Sequence, residues 1–282
     1  MNKAIVTLVV GQKYRDLWHS VARPSWEHYA GRHGYQLIVF ERLIDDSPLG
    51  LERSLAWQKL LTLRQSELQH FDQVLWLDSD IIINPLAPCA VSQVPIEKVG
   101  AVPDQALLSH PSLATAFARN NGWQAGPAAL SRQFYASNNL SAPAGYHLNS
   151  GVWVASPRHH GELFEYIYRT HQQRPHSYFE QAAFSSEVIG RGLHQFLDPR
   201  FNTLWLEYRV AFYPFLSQVP AMNPLCIAIA LRNAFFLHFA VLAEDMKSFD
   251  PRVVANFDTI ALPSDLSAKI EIGWRPPSVK PS

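Results

Sequence analysis

The stretch Val74-Leu75-Trp76-Leu77-Asp78-Ser79-Asp80-Ile81-Ile82-Ile83-Asn84-Pro85 restricts the possible folds of this chain more than any other. Four apolar residues run into two carboxylates one residue apart, and the chain turns apolar again before a proline. An uninterrupted apolar run of this length suits a strand buried on both faces of a parallel sheet. Ligands of such sheets gather beyond the carboxyl ends of the strands. Asp78 and Asp80 are therefore expected at the mouth of the sheet, facing one point once the strand bends at Ser79. Two carboxylates so close repel each other, more so when buried, and need a cation beside or between them. A hard divalent metal with oxygen ligands is the natural partner. The competing reading is a solvated turn after a strand, for which Asp and Ser are equally suited.

The flanking segments alternate between strand and helix signals. Ala4 to Val10 reads as a central strand. A helix is expected from about Tyr14, kinked or interrupted at Pro24 and stopped at Gly34 after a basic last turn. Tyr35 to Phe40 is the next strand, which makes a right-handed βαβ unit. Leu55 to Leu68 is a helix carrying Lys59 and an apolar side of Leu60, Leu61, Leu63 and Leu68. From Pro85 to Pro143 the sequence is irregular, with turn signals at Asn120-Asn121-Gly122 and Asn138-Asn139 and one short strand at Val99 to Val102. Such segments usually cover the acceptor side of an α/β site. Regular structure resumes at His147, with Gly151 allowing close backbone approach and Val152 to Val154 a strand. Helices over Glu162 to Thr170 and Ser177 to Ile189 follow. Leu225 to Phe239 supplies apolar strands or a buried helix, and the tail after Ser264 has little structure.

Composition narrows the function. With 282 residues the chain can bury a large core, and 48% apolar content with 16 Phe, 10 Tyr and 8 Trp describes a globular protein. Lys plus Arg equals Asp plus Glu at 24 each, and no basic stripe interleaved with aromatics occurs, which argues against a nucleic-acid partner. The two cysteines, Cys89 and Cys226, read as buried free thiols in a reducing compartment. Ala4 to Val10 is too short for a signal peptide, and Arg232, Asn233 and His238 interrupt the apolar run from Leu225 to Ala243. No transmembrane segment is expected, and the cytoplasm is the expected location. His159-His160 reads as an exposed turn. Trp123, Phe134, Tyr135, Tyr146 and Trp205 are either sugar-stacking or core aromatics.

Four motifs stand in order along the chain: Asp78-Ser79-Asp80, Leu148-Asn149-Ser150-Gly151, Glu180-Gln181 and His238-Phe239. Together they resemble the nucleotide-sugar glycosyltransferases of the GT-A fold. Within that class the chain is most similar to the galactosyl, xylosyl and mannosyl transferases of the GMA12/MNN10 family, and more loosely to the glycogenin-like group. The resemblance spans roughly residues 1 to 250. It implies a single α/β catalytic domain of GT-A fold, with a mostly parallel central sheet flanked by helices. Within it, 1–84 would be a nucleotide-binding half, 85–145 an irregular acceptor-side segment, 146–250 a donor-sugar and acceptor half, and 264–282 a tail. It further implies Mn²⁺, or Mg²⁺, as cofactor, a nucleotide diphosphate sugar (commonly UDP-linked) as donor, and a glycan, lipid or small-molecule hydroxyl as acceptor. Asp80 and His238 would ligate the metal, and Asp78 the metal or the ribose. Thr7 and Lys59 would lie near the nucleotide, and Lys247 on the diphosphate. Asn149 and Gly151 would line the sugar pocket, and Glu180 and Gln181 would attend the anomeric carbon with retention of configuration. The family's glycine after the histidine is replaced by Ala240-Val241-Leu242-Ala243.

The chemistry agrees with this assignment on separate grounds. Breaking a sugar–phosphate bond leaves a diphosphate whose growing charge must be neutralised, which a divalent cation does as a Lewis acid. Two carboxylates and an imidazole suit Mn²⁺ better than Mg²⁺. Two other readings compete. A haloacid-dehalogenase-type phosphatase also carries Asp-x-Asp after a strand, with Asp78 as nucleophile, but near the chain start and with Thr or Val where Ile82 stands. A non-catalytic sugar-binding protein of the same fold is the third.

Overall fold

The computed structural model describes residues 1–104, 127–173 and 179–254. The turn at Asn120-Asn121-Gly122, Trp123, the residues Ser177 and Tyr178, and the tail after Ser264 lie outside these ranges. Among the described residues the strands are β1 (Lys3–Leu8), β2 (Gln36–Phe40), β3 (Gln73–Leu77), β4 (Ile81–Ile83), β5 (Val99–Pro103), β6 (Leu148–Ala155), β7 (His194–Phe196), β8 (Thr203–Leu204) and β9 (Phe236–His238). Six form a sheet in the order β2-β1-β3-β6-β5-β7. β1 pairs parallel with β2 and β3, and β5 parallel with β7, while β6 runs antiparallel to both β3 and β5. The sheet is thus mostly parallel and has helices against both faces. A second, three-stranded sheet has the order β4-β9-β8.

β3 explains why its sequence reads as one apolar run. All five residues are buried. Leu75 and Leu77 point into a core shared with Trp18, Trp26 and Phe236, while Val74 and Trp76 point into another with Trp57, Trp153 and Phe164. With both faces covered, no polar alternation survives.

Pro24 does not break the helical connection between β1 and β2, which runs from Gln12 to His33. Just before the proline the chain makes a π-helical turn, Trp18–Ala22, and the Arg23 N–H reaches back to the Trp18 carbonyl. The wider ring accommodates the missing amide and the bulk of the pyrrolidine. Gly34 closes the run in the left-handed conformation, φ 69°, as its position after Arg32-His33 predicts.

Several features differ from the sequence reading. Leu55–Arg64 is a 3₁₀-helix rather than part of an α-helix to Leu68, and Gln65 is extended before a second short 3₁₀ turn, Ser66–Leu68. Every residue from Trp57 to Leu63 is buried, so no single apolar stripe holds a 3.6-residue period. The helix predicted from Glu162 begins at Pro157, directly after Ser156, a start signal the apolar pattern hides. His160 therefore lies in its first turn and is buried, not exposed; its Nδ1 accepts from the Ser156 N–H at 3.0 Å. Cys89 is half-buried, with Lys3 and Tyr35 against its sulfur, whereas Cys226 is buried. The Leu225 to Phe239 region resolves into a helix, Asn223–Asn233, and β9. Among the described residues no helix is long and apolar enough to cross a membrane.

The two sheets meet at the acidic triplet. The Asp78 N–H donates to the Gly151 carbonyl at 2.9 Å, one rung beyond the pairing of β3 with β6. Two residues later the Asp80 carbonyl accepts from the Phe239 N–H at 2.9 Å, the first rung of the small sheet. The chain leaves one sheet and enters the other at Ser79. Trp26 and Ser25 hold the far side of this crossing through the Ile81 carbonyl and the Ile83 N–H.

Candidate active site

The crossing brings three ligand-type side chains to one point. Asp78, Asp80 and His238 each offer one atom, all within 4.8 Å of one another. Asp78 is carried by the end of the large sheet, Asp80 by the turn that follows, and His238 by β9, whose antiparallel register sets it opposite Ile81. The ring of His238 fits because residue 151 is glycine. A Cβ at Gly151 would stand 2.3 Å from His238 Cε1 and 2.9 Å from its Nδ1, closer than atoms approach. The glycine permits a close approach of a side chain, not of a strand.

Lys59 anchors the first carboxylate. Its ammonium, almost fully buried, lies 2.8 Å from Asp78 Oδ1 and 3.0 Å from Glu180 Oε1. The Trp76 indole N–H donates to the same Asp78 oxygen at 2.8 Å. Burial works against the charge on Lys59, but Asp78 and Glu180 outweigh it and hold the ammonium above the ordinary lysine value. Burial raises the Glu180 carboxyl above its usual range although Lys59 opposes it. Glu180 also accepts from the Ser150 hydroxyl at 2.7 Å, and Gln181 Oε1 accepts from the Ser150 N–H. Both stand where a turn enters the helix Gln181–Gly190, with Glu180 at its cap position.

A second set of hydrogen bonds fixes His238. Asp104, at the end of β5, accepts from the Asn149 side-chain amide, and its other oxygen faces His147 Nε2 at 3.0 Å. Burial alone would push Asp104 up, but His147 and Asn149 hold it below the usual carboxylate range. An ionised carboxylate only accepts, so the Asn149 NH₂ must face it. The Asn149 oxygen then accepts from the Asn202 NH₂ at 2.8 Å and from the Gly151 N–H at 2.8 Å. The Asn202 oxygen is left for His238 Nδ1, 2.8 Å away, so Nδ1 carries the proton and donates. The neutral ring therefore presents a lone pair at Nε2, which lies 3.3 Å from Asp80 Oδ1.

That geometry tests the donor set. A lone pair facing a carboxylate is repulsive unless a proton or a cation lies between them. Accordingly, burial works against the His238 imidazolium but Asp80 outweighs it and holds its titration above the ordinary value. Asp80 is held low by the same pairing despite its burial. Two carboxylate oxygens and an imidazole nitrogen backed by a hydrogen-bonded second ring nitrogen are a fitting set for Mn²⁺.

The structure brings Lys59, Asp78, Asp80, Asn149, Gly151, Glu180, Gln181 and His238 together. It separates two others. Thr7 is fully enclosed in β1, which leaves it no surface for a nucleotide to touch, and its buried hydroxyl has no hydrogen-bond partner. Thr7 pairs with Val39 of β2. Lys247 is exposed and held by Glu244 at 2.5 Å, the same carboxylate that binds Lys13. Phe134, Tyr135 and Trp205 are core residues, and the half-buried Tyr146 bonds His194. Asp104 and Asn202 were missed by sequence reasoning, and Trp76 and Ser150 were quoted there without a role. Asp104 carried a usable signal, a carboxylate at the end of the predicted Val99 strand, as Asp78 is at the end of β3. Asn202 carried none.

The whole structure is similar to that of a glycosyltransferase involved in the glycosylation of the major capsid of PBCV-1. The TM-score is 0.52 at 16% identity, over 88% of this chain and 99% of that one. It is also similar to the WbbM bifunctional glycosyltransferase, with a TM-score of 0.55 at 13% identity; 90% of this chain is covered but 50% of that one. At such identities the likeness is one of fold, and the fold is GT-A. No protein-family model matches the sequence, and no curated protein matches it.

Proposed function

We propose that the protein is a metal-dependent glycosyltransferase, which moves a hexose or pentose from a nucleotide diphosphate sugar to a hydroxyl acceptor. The observation that carries this reading is the meeting of Asp78, Asp80 and His238 where the chain crosses between sheets. The GT-A fold, the ordered motifs and the tautomer imposed on His238 support it. The same motifs favour a UDP-linked donor, retention of configuration and kinship with the GMA12/MNN10 family. Asp78, Asp80 and His238 Nε2 would hold Mn²⁺, which when bound neutralises the charge that develops on the departing diphosphate.

The remaining residues have separable roles. Lys59 compensates Asp78 and Glu180 together, so that the half-buried and the buried carboxylate both stay in place beside Asp80. Glu180 is already engaged by Lys59 and Ser150 and acts as a positioning residue. Gln181 uses its oxygen on the Ser150 N–H and keeps its NH₂ for a hydroxyl of the donor sugar. Asn202 and Asn149 orient His238.

The test is hydrolysis and transfer of UDP-, GDP- and TDP-sugars with Mn²⁺ and with EDTA. Chelation should abolish turnover. Asp80→Asn should lower it beyond the ~10–100-fold that loss of a mere supporting partner of a metal ligand costs. Turnover indifferent to both would overturn the reading.

A further inference from the structure

Next to the amides that support His238 lies a small cleft of about 70 Å³, below the size of a site that encloses a whole drug-sized ligand and suited to one edge of a small polar one. Asn149 and Asn202 form part of its wall, and they are the same two amides that tie Asp104 to His238. Through Asn202 it abuts His238, and neither Lys59 nor Gln181 lines it. Leu204 and the prolines Pro103 and Pro199 supply apolar walls.

Glu207 lines this cleft from the first turn of the helix Trp205–Phe212. Its residue is 91% buried, at 9% exposure, yet its carboxyl has no hydrogen bond or ion pair among the described residues. The ionisable groups that border the cleft with it are Asp104, Arg200 and Tyr208. Arg200 offers no counter-charge, since its guanidinium is pinned on Asp198 at 2.7 Å and stacked on Phe235 at 4.0 Å. A largely buried carboxyl that no described neighbour satisfies, bordering a cleft, is placed to pair with a polar group that enters it.

We propose that this cleft receives one hydroxyl-bearing edge of the acceptor, an uncharged sugar, and that Glu207 donates a hydrogen bond to one of its oxygens. Asp104, on the other wall, is the complementary acceptor for a sugar hydroxyl and repels anionic ligands. The protonation states fit these roles. Burial, and then the charge of Asp104, push Glu207 well above the usual carboxylate range, while Asp104 is held below it. Two carboxyls driven apart in this way divide into one donor and one acceptor. The inference rests on the transferase reading, because it assigns the second substrate of that reaction.

The test uses the whole protein with Mn²⁺ and UDP, titrated by NMR with the methyl glycosides of galactose, glucose, mannose and glucuronic acid. A neutral glycoside should bind, and the glucuronide should not. Glu207→Ala should weaken the neutral ligand about tenfold, as expected for a lost hydrogen bond in a closed site, while Glu207→Gln, which keeps a donor, should stay within about threefold. Raising the pH should weaken binding to the wild type, as Glu207 ionises, and leave Glu207→Gln unaffected. Infrared difference spectra should contain a protonated-carboxyl C=O band at neutral pH that Glu207→Gln lacks. The inference is overturned by unchanged affinity in Glu207→Ala, by a preference for the glucuronide, or by no neutral glycoside binding at all. Should Glu207→Ala fail to fold, the pH profile of Glu207→Gln decides. Metal-dependent donor hydrolysis, followed in parallel, separates a failure here from a failure of the transferase reading.

Discussion

Gly151 and Glu207 are single positions where the surroundings dictate the outcome of a substitution. In Gly151→Ala the new methyl would meet His238 Cε1 at 2.3 Å and Asn149 Oδ1 at 3.0 Å. Neither can retreat without giving up the hydrogen bonds that orient the imidazole. The variant should lose about 1–3 kcal/mol in denaturant unfolding, and calorimetry should find its Mn²⁺ affinity reduced more than about tenfold, the loss typical of a disturbed metal-supporting partner. For Glu207 the sign follows from linkage. A free Glu titrates near 4.3, and in the folded protein burial and Asp104 raise it well above that. Between the two values the folded state binds more protons than the unfolded one, so stability falls as pH rises. Glu207→Gln removes that loss. Its melting temperature should exceed the wild type's at mildly alkaline pH, and the gap should close toward the unfolded-state value near pH ~4.3.

Among the elements, the 3₁₀-helix Leu55–Arg64 bears most directly on the site, because it carries Lys59. Its docking depends on Arg53 just before it. The guanidinium lies 4.5 Å from the Trp57 ring centroid and 4.7 Å from that of Tyr168. It also donates to the Tyr168 and His171 carbonyls at the C-terminal end of the helix Pro157–Thr170. Lysine keeps the charge but loses the planar stacking and the forked donors, so Arg53→Lys should cost about 1–2 kcal/mol in urea unfolding. At this scale the chain could be read unevenly in advance. β1, β2 and β3 were legible because local patterning and burial agree there. The 3₁₀ geometry was not, since burial on all sides leaves the same sequence signature as an amphipathic α-helix with extra leucines. The site divides in the same way. Asp78 and Asp80 were legible because the carboxylates interrupt an apolar run, whereas Asn202 joins through contacts 36 and 53 residues distant in sequence, to His238 and Asn149. Thr7 was singled out for its place near the end of β1, whereas its side chain is fully enclosed.

For the whole molecule, the two sheets meet where the chain crosses at Ser79. A ligand that binds only the folded chain stabilises it by mass action, about 2.7 kcal/mol at a hundred times its dissociation constant. Mn²⁺ at that excess should therefore raise the melting temperature of the wild type by several degrees, and Asp80→Asn should abolish the rise in a thermal-shift assay. Asp78 hangs from one sheet by its bond to Gly151, while Asp80 and His238 belong to the other. An ion seated among them works as a rivet through a seam, so amide protons of β4 and β9 should exchange more slowly once it is in. Capturing a donor and clamping the halves of the protein together are then one mechanical event.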